Sequence, residues 1–148
     1  MVNIVKQVIL ESKLPFPGRD IKVNVVGKEQ QLNLDSQLIS HALSNLVNNA
    51  LKYSEGKKDP ELTIDFRKTE VHLIIKDFGI GIPLKDQAEL FESFSRASNV
   101  GDIEGTGLGL VIVKQFIEMH QGTVTVDSDN GRGAEFLVKL PYLLKVES

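Results

Sequence analysis

The order of helical and strand-like segments along the 148-residue chain restricts its folds more than any other feature of the sequence. Apolar residues at helical spacing predict three helices, and alternating apolar residues predict six short strands in three consecutive pairs. Because strands joined by short turns pair antiparallel, we expect an α/β (α+β) two-layer sandwich, in which three helices cover one face of a mixed, mostly antiparallel sheet. The predicted helices span residues 1–12, 35–53 and 107–120, with Asp35 as the N-cap of the second. The predicted strands span residues 21–25, 30–34, 61–68, 71–78, 123–128 and 134–140.

Length and composition predict one globular domain spanning residues 1–148. Hydrophobic residues make up 41% and charged residues 25% of the chain, and its formal net charge is -3. That charge argues against a nucleic acid as partner. The absence of cysteine excludes disulfides and thiolate metal sites. No apolar run approaches the roughly 20 residues that span a bilayer, so we expect no membrane contact by this domain.

The helix predicted to end at Tyr53 carries a polar stripe that is separate from its apolar face. His41, Asn45, Asn49 and Lys52 fall within an arc of about 80° at helical spacing. Asparagine is a poor helix former, and a purely solvated surface would favour Glu, Lys or Arg. Amide oxygens can coordinate Mg²⁺ and lysine can bind phosphate, so the stripe suggests a ligand-binding face. An ordinary solvated face is the alternative for this segment alone.

Glycines are concentrated in two segments that border a long, mostly irregular region with a short predicted helix at residues 84–94. Residues 77–83 follow a predicted strand, and residues 105–110 precede a helix. A glycine-rich turn that enters a helix offers free N–H groups and a positive dipole end, both of which suit phosphate. The chain has no Walker A loop. It spells Asp-Phe-Gly at 77–79 but lacks the companion motifs of eukaryotic-type protein kinases. A flexible loop is the alternative for either segment taken alone.

Both glycine segments follow the amide-lined helix, and in this order the sequence resembles the histidine-kinase-type ATPase domain of the GHKL superfamily. The fold of that superfamily is the Bergerat ATP-binding sandwich. Residues 45–54 resemble its N box, residues 77–81 its first glycine box, residues 91–96 its F box and residues 105–110 its second glycine box. Residues 131–141 resemble the closing strand of the family, so the resemblance extends from about Ile21 to Pro141.

The resemblance implies a role for individual residues in binding ATP and Mg²⁺. It implies that Asp77 accepts a hydrogen bond from the adenine amino group and that Tyr53 lies beside the ring. It implies that Asn49 is the main Mg²⁺ ligand with Asn45 next to it, and that Lys52 binds a phosphate. It also implies that the first glycine box contributes Gly79, Ile80 and Gly81 to nucleotide binding, and that the second contributes Gly105, Thr106, Gly107, Leu108 and Gly109.

The region between the glycine boxes, residues 79–106, resembles the lid that closes over ATP in this family. Arg96 is implied to reach the γ-phosphate and, together with Asn45 and Lys52, to take part in phosphoryl transfer. Ser95 departs from the family pattern, which usually has an aromatic residue there, and this puts lid packing at that position in question. An ordinary exposed arginine is the alternative for Arg96.

Asn45 bears on which reaction the resemblance implies. Hydrolytic relatives such as gyrase carry a glutamate at that position as general base, whereas asparagine cannot accept a proton at ordinary pH. A neutral imidazole already has a nucleophilic lone pair, so Asn45 favours histidine phosphorylation and slow hydrolysis. His41, His72 and His120 lack the sequence context of family acceptors, which suggests that the acceptor lies in a separate domain.

We therefore expect the catalytic domain of a two-component sensor histidine kinase, which binds ATP but does not phosphorylate itself. Its partners would be the dimerisation and phosphoacceptor domain of the parent kinase and, through the parent, a response regulator. The expected location is the cytoplasm, whether or not the parent is membrane-anchored. A non-catalytic nucleotide-binding signalling module and a hydrolytic GHKL ATPase are the alternatives.

Overall fold

The computed structural model describes residues 1–82, 87, 91, 109–129 and 132–142. Its three helices are α1 (Val2–Ser12), α2 (Ser36–Tyr53) and α3 (Gly109–Met119). Its five strands are β1 (Lys22–Val26), β2 (Glu61–Phe66), β3 (Glu70–Lys76), β4 (Thr123–Asp129) and β5 (Gly133–Pro141). They form one sheet in the order β1-β2-β3-β5-β4, in which only the β1–β2 pair is parallel. The predicted two-layer sandwich with a mixed, mostly antiparallel sheet is confirmed.

One face of the sheet builds the core. Ile64 of β2 lies opposite Leu73 of β3, and Leu73 lies opposite Val138 of β5, so a fully buried row crosses three strands. The apolar face of α2 supplies the opposing layer, including the fully buried Leu43 and Leu46. Burying an aliphatic side chain of this size contributes about 1.5–3 kcal/mol relative to leaving it exposed.

The start of α2 is capped as the sequence predicts and is also tied to the end of α3. The Asp35 carboxylate accepts hydrogen bonds from the backbone N–H groups of Gln37 and Leu38, at 3.0 and 3.1 Å. The backbone N–H of Asp35 donates to Nε2 of His120 at 2.8 Å. The other ring nitrogen, Nδ1, donates to the Phe116 carbonyl, also at 2.8 Å. The imidazole of His120 therefore links α2 to α3.

The strand predicted at residues 30–34 is wrong. Leu32 and Leu34 are partly buried against the core, which explains the alternation that suggested a strand. Their backbone joins no ladder in the described part of the chain, and β1 pairs with β2 alone there. Burial of alternate residues therefore occurs here without strand pairing, and the described sheet has five strands instead of six.

Some predictions fall on residues that the structure leaves undescribed. They concern nearly all of the short helix at residues 84–94, of which only Gln87 and Phe91 are described, and most of residues 79–106. Within the described ranges, no helix combines the length and the hydrophobicity needed to cross a membrane. The fold brings the last turn of α2 to the carboxyl end of β3 and the first residues of β5, where the predicted site residues converge.

Candidate functional site

Three chain segments meet at the carboxyl end of β3. The backbone N–H of Asp77 donates to the carbonyl of Ala134 in β5 at 2.9 Å. Three residues later, the N–H of Ile80 donates to the carbonyl of Tyr53, the last residue of α2, at 3.2 Å. The predicted first glycine segment is therefore held between the start of β5 and the end of α2.

Asp77 presents a fixed carboxylate in this corner, and its residue is only 6% exposed. Its Oδ1 accepts hydrogen bonds from the backbone N–H groups of Gly79 at 3.0 Å and Ala134 at 3.3 Å. Oδ2 accepts no hydrogen bond from a described residue. The carboxylate is therefore oriented by the backbone and keeps one oxygen for a donor group of a ligand.

Burial raises the pKa of the Asp77 carboxyl above its ordinary value of 3.8, because the charged form loses hydration. The N–H groups of Gly79 and Ala134 oppose part of that increase, because they stabilise the carboxylate. Asp77 is thus a buried carboxyl group, and hydrogen bonds from two backbone N–H groups stabilise its ionised form.

The backbone around Asp77 packs so closely that two neighbouring positions require glycine. A Cβ at Gly79 would lie 1.9 Å from the carbonyl oxygen of Tyr53. A Cβ at Gly133, where φ is +93°, would lie 2.1 Å from the carbonyl oxygen of Asp77. Both distances are far below van der Waals contact, so the first glycine segment fits against α2 and β5 only without side chains at these positions.

A further contact to this segment comes from Ser128 in β4. Its Oγ accepts a hydrogen bond from the N–H of Ile82 at 2.8 Å and donates to the carbonyl of Gly133. Gln87 adds bonds from Nε2 to the carbonyls of Ile82 at 2.9 Å and Ser128 at 2.7 Å. Sequence reasoning missed Ser128, because one serine near the end of an alternating strand resembles any exposed strand position.

The amide stripe of α2 faces the beginning of α3. Nδ2 of Asn45 donates to the carbonyl of Gly109 at 3.3 Å, which leaves the amide oxygen of Asn45 as an available acceptor. Asn49, one turn later, is half-buried, and its side chain forms no hydrogen bond to a described residue. Lys52 lies in the last turn, with its Nζ 5.9 Å from the centre of the Tyr53 ring. The predicted metal and phosphate ligands thus share one side of α2.

His41, the fourth member of the stripe, contacts α3 instead of the Asp77 corner. Its ring meets the ring of Phe116 edge-on, with the centroids 5.5 Å apart and the planes at 73°. Phe91, the first residue of the predicted F box, packs edge-on against Phe136 of β5 at 6.2 Å. These two contacts are packing contacts between elements.

The stripe of α2 offers amide oxygens, which are suitable ligands for a hard cation. The described residues contain no group of three or more His, Cys, Asp or Glu side chains that could hold a metal ion. The oxygens of Asn45 and Asn49 remain, and Mg²⁺ accepts amide oxygens while keeping several waters and binding substrate phosphates. The other predicted ligands of the nucleotide lie outside the described residues; they are Arg96, Gly105, Thr106, Gly107 and Leu108.

Comparison with known proteins relates most of this chain to one family. Residues 34–144 match the family described as histidine kinase-, DNA gyrase B-, and HSP90-like ATPase. The sensor histidine kinase WalK of Bacillus subtilis (strain 168) is 35% identical over 123 residues, which are 80% of this chain and 20% of WalK. This chain thus spans about one fifth of the length of that relative.

Solved structures give the same relationship. The mycobacterial sensor histidine kinase MprB has a TM-score of 0.84 at 26% identity, covering 98% of this chain and 97% of that one. The crystal structure of full-length ShkA in complex with AMPPNP has a TM-score of 0.81 at 27% identity, covering 98% of this chain and 30% of that one. The similarity therefore includes both the sequence and the fold.

Proposed function

We infer the function of this chain from one premise, which is that it belongs to the histidine kinase-, DNA gyrase B-, and HSP90-like ATPase family. Its relatives and structural neighbours are sensor histidine kinases, and the chain is a nucleotide-binding domain of that kind. We propose that it transfers the γ-phosphoryl group of ATP to a histidine on a separate dimerisation and phosphoacceptor domain of its parent protein. A response regulator then receives the phosphoryl group from that histidine, and we propose that these steps take place in the cytoplasm.

The observation that carries this proposal is the orientation of Asp77. Its Oδ1 is engaged by Gly79 and Ala134, which leaves Oδ2 to accept a hydrogen bond from the exocyclic amino group of adenine. A charged acceptor makes a stronger hydrogen bond to such a donor than a neutral one does. Tyr53, at the end of α2, would border the purine with its ring.

The phosphate end of the nucleotide belongs, in this proposal, along the stripe of α2. Asn49 and Asn45 would hold Mg²⁺ through their amide oxygens, and Lys52 would bind a phosphate. When bound, Mg²⁺ neutralises charge on the phosphate oxygens and orients them. Gly105, Thr106, Gly107, Leu108 and Gly109 would supply backbone contacts, and Arg96 would reach the γ-phosphate from a lid formed by residues 79–106.

Asn45 supports transfer to histidine over hydrolysis. A water molecule or a hydroxyl needs a general base before it attacks phosphorus, and an amide cannot serve as that base. The amide nitrogen of Asn45 instead donates a hydrogen bond to the carbonyl of Gly109. A neutral imidazole needs no such base for its attack, so bound ATP is retained until an acceptor histidine reaches it.

The test supplies the acceptor domain of the parent protein as a separate chain, together with ATP labelled at the γ-phosphate. We expect acid-labile label on the acceptor, none on this chain, and phosphate release far slower than transfer. The Asn49→Ala variant is the matched inactive control. Nucleotide binding without transfer would support a non-catalytic signalling module, and steady phosphate release without an acceptor would support a hydrolytic ATPase. Label on this chain itself would contradict the separate-acceptor assignment.

A further inference from the structure

Helix α2 ends without the glycine cap that terminates many helices. The residue that follows it, Ser54, has φ -116° and ψ 19°, which is not the left-handed conformation of such a cap. The last carbonyls of a helix have no partner within the helix, so other groups must satisfy them. The Ser54 hydroxyl donates to the carbonyl of Ala50, and the N–H of Ile80 donates to that of Tyr53.

Arg19, from the loop between α1 and β1, supplies another donor to this helix end. Its Nη1 donates to the carbonyl of Leu51 at 3.2 Å, and its Nη2 donates to the hydroxyl of Ser54 at 2.9 Å. Its Nε pairs with the carboxylate of Asp59 at 2.8 Å. One planar guanidinium therefore joins the last turn of α2 to the segment that follows it, and its charge is favourable at a helix C-terminus.

The Arg19 network differs from the other ion pair between Arg and Asp within the described residues, that of Arg67 with Asp65. The Arg19 side chain is 15% exposed and bonds to three groups, whereas Arg67 is 56% exposed and pairs with Asp65 at 3.0 Å. An exposed pair contributes little, while a sheltered multidentate arginine fixes the geometry of its partners. Arg67 lies at the opposite end of β2 from the Asp77 corner, which makes it a matched control.

We propose that Arg19 is a positioning residue for the purine end of the nucleotide site, an inference that rests on the proposed function. The turn that Arg19 holds includes Tyr53. The carbonyl of Tyr53 accepts a hydrogen bond from the N–H of Ile80 and packs against Gly79. Gly79 in turn donates its N–H to Oδ1 of Asp77. A shift of this turn therefore moves the adenine-binding carboxylate and the aromatic ring relative to each other.

The experiment compares Arg19→Gln, Arg19→Lys and Arg67→Gln at a temperature well below unfolding. Adenosine binding is measured by NMR titration, ADP binding with Mg²⁺ by calorimetry, and the unfolding midpoint by circular dichroism. We expect Arg19→Gln to lower the affinities for adenosine and for ADP by the same factor, about tenfold. Arg19→Lys keeps the charge but cannot make all three bonds, so its affinities should fall between those of Arg19→Gln and the wild type. Arg67→Gln should leave both affinities unchanged.

A lower unfolding midpoint for Arg19→Gln with unchanged affinities would reduce Arg19 to a structural role and overturn the proposal. Weaker ADP binding with unchanged adenosine binding would also overturn it, since it would locate the effect at the phosphates. Lys52→Ala is the comparison variant for this outcome. It should weaken ADP binding and leave adenosine binding unchanged, because it removes only a proposed phosphate contact. If Arg19→Gln fails to fold, wild-type affinities in Arg19→Lys overturn the proposal. Failure of the wild type to bind either ligand would instead refute the proposed function itself.

Discussion

Asn45 and Gly109 lie 64 positions apart in the chain, and Nδ2 of Asn45 donates a hydrogen bond to the carbonyl of Gly109 at 3.3 Å. This bond joins the middle of α2 to the first residue of α3. Because the nitrogen is engaged, the amide oxygen of the same side chain remains available to a ligand. One asparagine thus links the two helices and contributes to the proposed metal site.

We predict that Asn45→Ala costs about 0.5–1 kcal/mol more stability than Asn48→Ala, since a typical intramolecular hydrogen bond contributes about 1 kcal/mol and an i,i+4 pair within one helix only about 0.2–0.5 kcal/mol. Asn48 is the matched control, because its amide reaches only Ser44 in the same helix, at 3.4 Å. Both changes bring the same gain in helix propensity, which cancels in the comparison. Urea denaturation measures the difference, and equal stabilities would contradict a bond between α2 and α3.

We predict that Gly79→Ala lowers the free energy of unfolding by about 2–3 kcal/mol, because the new methyl group must displace backbone. A Cβ at Gly79 would lie 1.9 Å from the carbonyl oxygen of Tyr53. At Gly109 the nearest atom to a Cβ is Cγ of Asn45, 3.8 Å away, so Gly109→Ala should cost no stability. Denaturant unfolding of both variants checks this, and similar losses in the two would contradict the close packing at Gly79.

The raised pKa of Asp77 predicts a pH-dependent stability. The native state binds the carboxyl proton more tightly than the unfolded chain does, whose pKa is near the ordinary 3.8. Asp77 therefore contributes stability below pH 3.8, and that contribution is lost as the pH rises through the native pKa. The stability of Asp77→Asn relative to the wild type should increase from acidic pH towards neutrality and then level off.

Urea unfolding at a series of pH values measures this trend, with Asp127→Asn as the control at an exposed position of β4. A trend with pH that Asp77→Asn shows and Asp127→Asn lacks is then specific to the buried carboxyl of Asp77. A relative stability of Asp77→Asn that decreases with pH would mean that the carboxylate is stabilised in the native state.

We predict that Asn49→Ala removes the effect of Mg²⁺ on ADP affinity, because the variant lacks the main proposed amide ligand. Asn48→Ala should keep that effect, since its amide is bonded within α2. Calorimetric titration of ADP with and without Mg²⁺ measures both variants. An equal response to Mg²⁺ in Asn49→Ala and the wild type would remove Asn49 from the metal site.

The helices and most of the strands could be predicted because their periodicity is a local property of the sequence. The Asp35 cap and the alternation of Leu62, Ile64 and Phe66 belong to this class. Residues 30–34 show the limit, because alternating burial of Leu32 and Leu34 resembles a strand whether or not the backbone pairs.

The contacts that hold the site could not be predicted in the same way. Arg19 reaches Leu51 and Ser54 across 32 and 35 positions, and Ser128 reaches Ile82 across 46. Local spacing contains no information about which distant backbone group a side chain will meet. The proposed role of Asp77 comes from the family resemblance, whereas its two backbone donors required the structure.

The most direct test of the account is calorimetric titration of wild type, Asp77→Asn and Asp127→Asn with AMPPNP and Mg²⁺. In Asp77→Asn, an amide N–H₂ would face the adenine amino group, so two donors would oppose each other. We predict an affinity at least about 100-fold weaker for Asp77→Asn, with a native circular dichroism spectrum, and an unchanged affinity for Asp127→Asn. Wild-type affinity in Asp77→Asn would contradict the assignment of Asp77 as the adenine acceptor.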